Sequence, residues 1–193
     1  MSPYTIYYQD DFIDYESKKD HFHRSKFPLL FESEKIIVRR ISGKDNKIIA
    51  CFDDNGYYSN DNLMHLVKWN NAILEFQKPE KKWSIIIDER YSTKYLTAIL
   101  DSKLCTYFFS KFLSTDTLQG SYSSIYPEDI RQIPIRKISV EQEFEIVELV
   151  NKILELKSID ATADTTALES EIDKLVYQLY GLTEEEIKIV EGK

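Results

Sequence analysis

Glycine and proline are sparse in this chain, and neither is ever paired. The five glycines, Gly43, Gly56, Gly120, Gly181 and Gly192, stand far apart, which excludes the glycine-rich turn of dinucleotide-binding folds and the phosphate loop of nucleotide triphosphatases. The five prolines, Pro3, Pro28, Pro79, Pro127 and Pro134, are never adjacent. The only cysteines, Cys51 and Cys105, sit in apolar strings with no histidine at ligand spacing. That excludes a disulfide framework and a cysteine-based metal site, and reads as two buried, reduced thiols. No apolar run approaches the roughly 20 residues that span a bilayer, so no membrane partner is expected. Asp10, Asp11, Asp14 and Glu16 precede the first basic side chain, unlike a secretory signal. The chain is therefore read as cytoplasmic.

What is present is enough for a core. The 193 residues are 42% apolar and 13% aromatic, a balance that excludes general disorder and suits one domain of ordinary size. The net charge of -8 hides an asymmetry. Residues 18–47 carry nine basic side chains against four acidic ones, whereas residues 139–193 carry fourteen acidic against five basic. A local basic field can meet phosphate while an acidic segment points elsewhere, although a charge run can also simply solvate a face.

The β-branched string Lys35-Ile-Ile-Val-Arg-Arg-Ile41, the turn cluster Ser42-Gly-Lys-Asp-Asn46 and the run Lys47-Ile-Ile-Ala-Cys-Phe52 predict a β-hairpin. Tyr57 to Lys68 fits either period: Leu63, Leu66 and Val67 suit a helix, and Leu63, His65 and Val67 alternate as a strand. Lys78 to Lys82 is a polar breaker, and Trp83 to Ile87 reads as a buried strand. From Thr93 to Leu113, Leu96, Ile99, Leu100, Leu104, Tyr107, Phe108 and Phe112 recur at helical spacing and predict one core helix. Ser114 to Tyr126 reads as a hydroxyl-rich loop, Pro127 as the start of a short helical turn, and Ile133 to Ile135 as extended. Ser139 with Gln142 forms a capping box for a helix whose stripe is Phe144, Val147, Leu149, Val150, Ile153, Leu154 and Leu156. Leu168, Ile172, Leu175, Val176 and Leu179 mark a second helix, ended by Gly181. A second capping box, Thr183 with Glu186, opens a short last helix reaching about Val190.

Few constellations carry chemistry. His21 and His23 lack the third and fourth converging ligands that zinc requires. His65 has no recognisable nucleophile partner and reads as a satisfied, partly buried imidazole. Glu80-Lys-Lys82 and Glu186-Ile-Lys188 spell the Glu-x-Lys of metal-dependent nucleases, but one lies in a proline-marked turn and the other in a capped helix. No catalytic and no metal-binding residue is therefore assigned. Arginine forks suit guanine edges and phosphates, and lysines suit phosphate as point charges. On that ground Arg24, Lys26, Arg39, Arg40, Lys44 and Lys47 are candidate DNA contacts. Lys111 and the loop residues Ser121 and Tyr122 are candidates of the same kind, for backbone contact. Arg39 and Arg40 must leave a strand on opposite faces, and alternation alone does not choose between them.

Several strings, taken in order, resemble one family. They are Lys35-Ile-Ile-Val-Arg-Arg-Ile41, Tyr57-Tyr-Ser-Asn60, Tyr95-Leu-Thr-Ala-Ile-Leu-Asp-Ser-Lys-Leu104, Arg131-Gln-Ile-Pro-Ile135, and Glu171 to Ile187 with its Tyr-Gly-Leu-Thr-Glu-Glu-Glu ending. The combination, over residues 30 to 190, is similar to the TaqI-like C-terminal specificity domain, the target recognition domain of type II restriction-modification enzymes that fuse adenine methyltransferase and nuclease activities. Type I specificity subunits carry related domains. The resemblance implies a strand at about Leu63 to Val67, a packing helix from Tyr95 to Phe112, and Asn60 as a further DNA contact; Asp101 stands where that family usually has Asn. The family's methyltransferases hold the target adenine with an Asn-Pro-Pro-Tyr type motif, for which the unpaired prolines leave no place here. S-adenosylmethionine and Mg²⁺ are thus expected only in catalytic domains outside this chain.

The expected fold is α+β, a twisted mixed sheet with one packing helix and a helical C-terminal arm. The expected division is a target recognition domain over 1–137 and the arm over 138–193. The expected partners are double-stranded DNA and the methyltransferase or nuclease domain of the same parent protein. A rival reading is a protein-interaction module that docks another subunit through the C-terminal helices.

Overall fold

The computed structural model describes residues 2–6, 14–18, 27–42, 46–70, 90–114 and 123–193. Two single helical turns, α1 (Tyr15–Lys18) and α2 (Leu29–Glu32), precede three strands, β1 (Lys35–Arg39), β2 (Ala50–Asp53) and β3 (Leu63–Val67). The predicted hairpin is present, with β2 beginning at Ala50 rather than Lys47. Its turn residues 43–45 lie outside the described residues, as do the expected breaker at 78–82 and strand at 83–87. The sheet order is β2-β1-β3. Both pairings are antiparallel, with Lys35 opposite Asp53 on one side and Val67 on the other. The expected mixed sheet is thus antiparallel throughout among the described residues. Pairing with β1 settles the ambiguity over Leu63 to Val67 as a strand.

Side chains alternate across the sheet. Ile36, Val38, Ala50, Met64 and Leu66 face one core, shared with Leu100, Cys105, Phe109, Ile125 and Ile133. On the other face Lys35, Ile37, Cys51 and Asp53 are also buried. There Lys35 forms an ion pair with Asp53 and donates Nζ to the Phe31 carbonyl. Asp53 accepts the N–H groups of Asn55 at 2.9 Å and Tyr57 at 3.1 Å, so its carboxylate organises the turn that leads into β3.

The predicted single helix over Thr93 to Leu113 is three pieces: α3 (Thr93–Asp101), α4 (Lys103–Phe108) and a π-helical turn, Phe109–Leu113. The break is Ser102, which is extended at ψ 152°. Its hydroxyl donates to the Ile99 carbonyl at 2.7 Å and accepts the Cys105 N–H at 3.1 Å. A serine that bonds its own backbone competes with helix continuation, and apolar spacing does not register that competition. Two flanking carboxylates tie the break to its surroundings. Asp101 accepts the Ala50 N–H at 2.8 Å, and Asp173 accepts the Lys103 N–H at 2.9 Å.

After α5 (Pro127–Arg131) come α6 (Val140–Ile159), α7 (Thr166–Tyr180) and α8 (Glu184–Glu191). The Ser139–Gln142 and Thr183–Glu186 capping boxes are formed, and Gly181 ends α7 at φ 71°, the left-handed conformation that glycine adopts without a Cβ clash. Tyr95, Ala98 and Ile99 of α3 join Ile146, Leu149, Val150 and Ile153 of α6 and Ile172, Val176 and Leu179 of α7 in a second core. Ile146 is a core residue that the sequence stripe omitted, whereas Phe144 and Leu156, counted in it, are exposed. Phe144 lies about 200° around the helix from Ile146, so a single face cannot bury both.

Asp53→Ala strands the buried Lys35 cation, and we expect a loss of about 3–5 kcal/mol of stability by denaturant unfolding. Asp101 is fully buried and its Oδ2 has no partner among the described residues. Burial holds its carboxyl well above the usual range against the pull of the Ala50 N–H and Lys47. The native state therefore keeps a proton that the unfolded chain releases, and this residue's contribution to stability falls as pH rises above the unfolded carboxylate pKa. Unfolding of Asp101→Asn and of the wild type, compared as pH rises above the unfolded carboxylate pKa, should show the variant gaining on the wild type.

Candidate nucleic-acid interface

Arg39, Arg40 and Asn60 lie at one end of the sheet, where Arg40 and Asn60 line one groove. Arg39 lies opposite Leu63 in the β1–β3 register, and the Arg40 N–H donates to the Asn62 carbonyl at 3.0 Å. Arg39 donates Nε to the Ile41 carbonyl at 2.7 Å, and Arg40 donates Nη1 to the Asp61 carbonyl at 3.1 Å. Neither guanidinium pairs with a carboxylate among the described residues. Asn60 is exposed, and its Oδ1 accepts the Asn62 N–H at 3.0 Å, which holds the loop before β3 in a tight turn.

The same end carries the junction from which two further candidate segments leave. Ser42 donates its N–H to the Ser123 carbonyl at 2.9 Å, Ile125 donates to the Arg40 carbonyl at 2.8 Å, and the Ser123 N–H donates to Ser42 Oγ at 3.0 Å. The hydroxyls of Ser114 and Ser123 meet at 2.7 Å. The knot thereby ties down the π-helical turn that carries the exposed Lys111, since Ser114 closes that turn. Arg24, Lys26, Lys44, Ser121 and Tyr122 lie outside the described residues.

Lys47 is placed elsewhere. It lines a recess of about 100 Å³ with Asp101, Glu169 and Asp173, where the sheet meets the arm, and its charge opposes the upward shift that burial imposes on both aspartates. Lys35, another member of the basic run, is consumed by Asp53. Part of the local positive charge therefore serves the interior.

Two residues beside Arg40 were not read as site residues from sequence, although His65 is the satisfied, partly buried imidazole expected there. Arg131, on α5, and His65, on β3, line one groove with Arg40 and Asn60. Arg131 opens a string already quoted for the resemblance, and that was its only signal. His65 Nε2 lies 2.8 Å from Ser59 Oγ. Burial, and next the Lys35 cation, push its pKa down to about 4, so the imidazole is neutral at physiological pH. Among the described residues no group of three or more His, Cys, Asp or Glu side chains could hold a metal ion, and no helix is long and apolar enough to cross a membrane.

Residues 1–135 match the model of the TaqI-like C-terminal specificity domain. The chain belongs to that family. It is a specificity domain, and its function is of the DNA target-recognition kind. No curated protein matches it. The match takes in the first 29 residues, which the sequence resemblance had not used, and stops before α6, so the Tyr-Gly-Leu-Thr-Glu-Glu-Glu string of the arm lies beyond it. All of β1 to β3, α3, α4 and α5 fall inside.

Ser42→Ala removes the acceptor of the buried Ser123 N–H and should cost roughly 1–3 kcal/mol. Amide exchange should show the loss of protection concentrated at Ser123 and Ile125.

Proposed function

We propose that this chain reads the target sequence for a restriction-modification enzyme, as the C-terminal part of an N6-adenine methyltransferase or type II restriction enzyme whose catalytic domain lies outside it. In this reading the specificity domain spans 1–137 and the arm 138–193, and the partners are duplex DNA and the parent's methyltransferase or nuclease domain. The single observation that carries the reading is the placement of Arg40 and Asn60 on one groove, with Arg39 at the same end of the sheet, in a specificity-family domain. Guanidinium groups engaged only by backbone carbonyls keep donors for base edges and phosphates. Lys111, and with it Arg24, Lys26, Lys44, Ser121 and Tyr122, would add contacts to the backbone, whereas the acidic surroundings of Lys47 suit it to the fold rather than to phosphate.

A second reading, docking of another subunit through the arm, draws on the apolar side chains that α6 leaves in solvent: Val140 is 79% and Phe144 62% exposed. Salt separates the two readings, because phosphate contacts release counterions and apolar docking does not. Titration of a fluorescent duplex should show binding that weakens steeply between low and physiological salt. Salt-independent affinity would count against phosphate contact. In the parent enzyme, Arg39→Ala or Arg40→Ala should cost about 1–3 kcal/mol at one base position only, and Lys111→Ala should weaken all sequences alike while flattening the salt slope by roughly one unit.

A further inference from the structure

β3 is an outer strand of the sheet, and a groove of about 390 Å³ runs along it toward Arg40 and α5. This volume is in the lower range of small-ligand pockets, about 300–1,000 Å³, and is too small to admit the edge of a duplex. Its lining has two characters. Met64 and Leu66 give it an apolar surface on one face of β3, and on the other face the His65 ring stands edge-on to Phe31 at 4.9 Å, with Phe31 stacked on Tyr58 at 4.4 Å. That wall is built before any ligand arrives. The rim is polar. Arg40 is held by the Asp61 carbonyl, Asn60 has only its carbonyl oxygen engaged among the described side-chain bonds, and Arg131 pairs with Glu128 at 2.7 Å where both side chains are about two-thirds exposed. An exposed pair of this kind is worth so little that an incoming anion can replace the carboxylate.

The combination selects its ligand. A bare anion would use the two guanidinium groups and leave the apolar wall wet. An apolar ligand would cover the wall and bury the Arg40 donors without partners. A flat heteroaromatic ring joined to a phosphodiester meets both demands, since the ring faces are apolar, its edge hydrogen-bonds, and guanidinium groups bind phosphate in a fork. We propose that this groove binds a single nucleotide of a DNA strand, its base unstacked from the duplex and laid against Met64 and Leu66, its phosphate between Arg40 and Arg131. The inference rests on the DNA-recognition reading and adds to it a pocket for one extrahelical nucleotide. Unstacking a base is unfavourable, and contacts in the groove must offset it. His65 adds no charge of its own there, so binding of a phosphodiester should not change between pH 6 and 8.

The test uses the full chain and three probes followed by calorimetry: a deoxydinucleoside monophosphate, inorganic phosphate, and a duplex carrying 2-aminopurine. The dinucleotide should bind at millimolar concentration and inorganic phosphate at least tenfold more weakly. Arg40→Ala and Arg131→Ala should each weaken the dinucleotide about tenfold, and each should reduce the rise in 2-aminopurine fluorescence that accompanies duplex binding. Arg131 is exposed and its removal leaves the core intact, so that variant stays informative if Arg40→Ala fails to fold. Phosphate binding as tightly as the dinucleotide would overturn the proposal, because the base would then contribute nothing. Duplex binding that is salt-dependent and unchanged in Arg131→Ala, with no dinucleotide binding, would also overturn the groove while leaving DNA recognition standing. Dinucleotide binding without duplex binding would uphold the nucleotide site and remove DNA recognition.

Discussion

The ion pair between Lys35 and Asp53 is the constraint on which the rest of the sheet region depends. Both charges are buried, and such a pair persists only when the remaining donors and acceptors are met. They are met by backbone: Lys35 reaches the Phe31 carbonyl, and Asp53 takes the N–H groups of Asn55 and Tyr57. One pair therefore joins the centre of the sheet to the turn preceding β3 and to the short helix carrying Phe31. From these follow the Phe31–Tyr58 stack, the edge contact with His65, and the neutral state of that imidazole. The aromatic packing behind His65 is a consequence of where Lys35 is satisfied.

The helix α3 plays the corresponding part for the arm. One of its faces packs under the sheet through Leu100 and the other packs against α6 and α7 through Tyr95, Ala98 and Ile99. The break at its end exposes the Lys103 and Cys105 N–H groups, which Asp173 of α7 and the Ser102 hydroxyl accept, while Asp101 ties the same end of the helix to the Ala50 N–H of β2. The arm thus completes the hydrogen bonding of the domain it rests on. Its acidic surplus is also in part structural, since Asp173 and Glu169 share the recess with Lys47.

Charge is consequently sorted by place rather than by segment. Lys35 and Lys47 face the interior or the arm, whereas Arg39 and Arg40 stand at the end of the sheet near the Ser42–Ser123 knot. Backbone carbonyls orient the two arginines without neutralising them, a suitable state for groups that must meet phosphate or a base edge.

Much of this organisation is local and can be read from the residues. The β-branched run at Lys35 to Ile41, both capping boxes, the Gly181 helix end and the helical turn at Pro127 depend on side chains within a few positions of one another, and all are present as the spacing predicts. The family resemblance was legible for a similar reason, as a fixed order of short strings. Local periodicity left two periods open at Leu63 to Val67; the family resemblance implied the strand, and pairing with β1 is the physical reason it forms. Tertiary structure decided the break at Ser102, where a hydroxyl's bonds and two carboxylates distant in sequence outweigh a continuous apolar stripe. The candidate site divides along the same line. The presence of arginines was evident from sequence, but whether a cation is spent inside, like Lys35, or left at a rim, like Arg40, depends on partners 18 and 21 residues away. Periodicity carries no record of contacts at that separation.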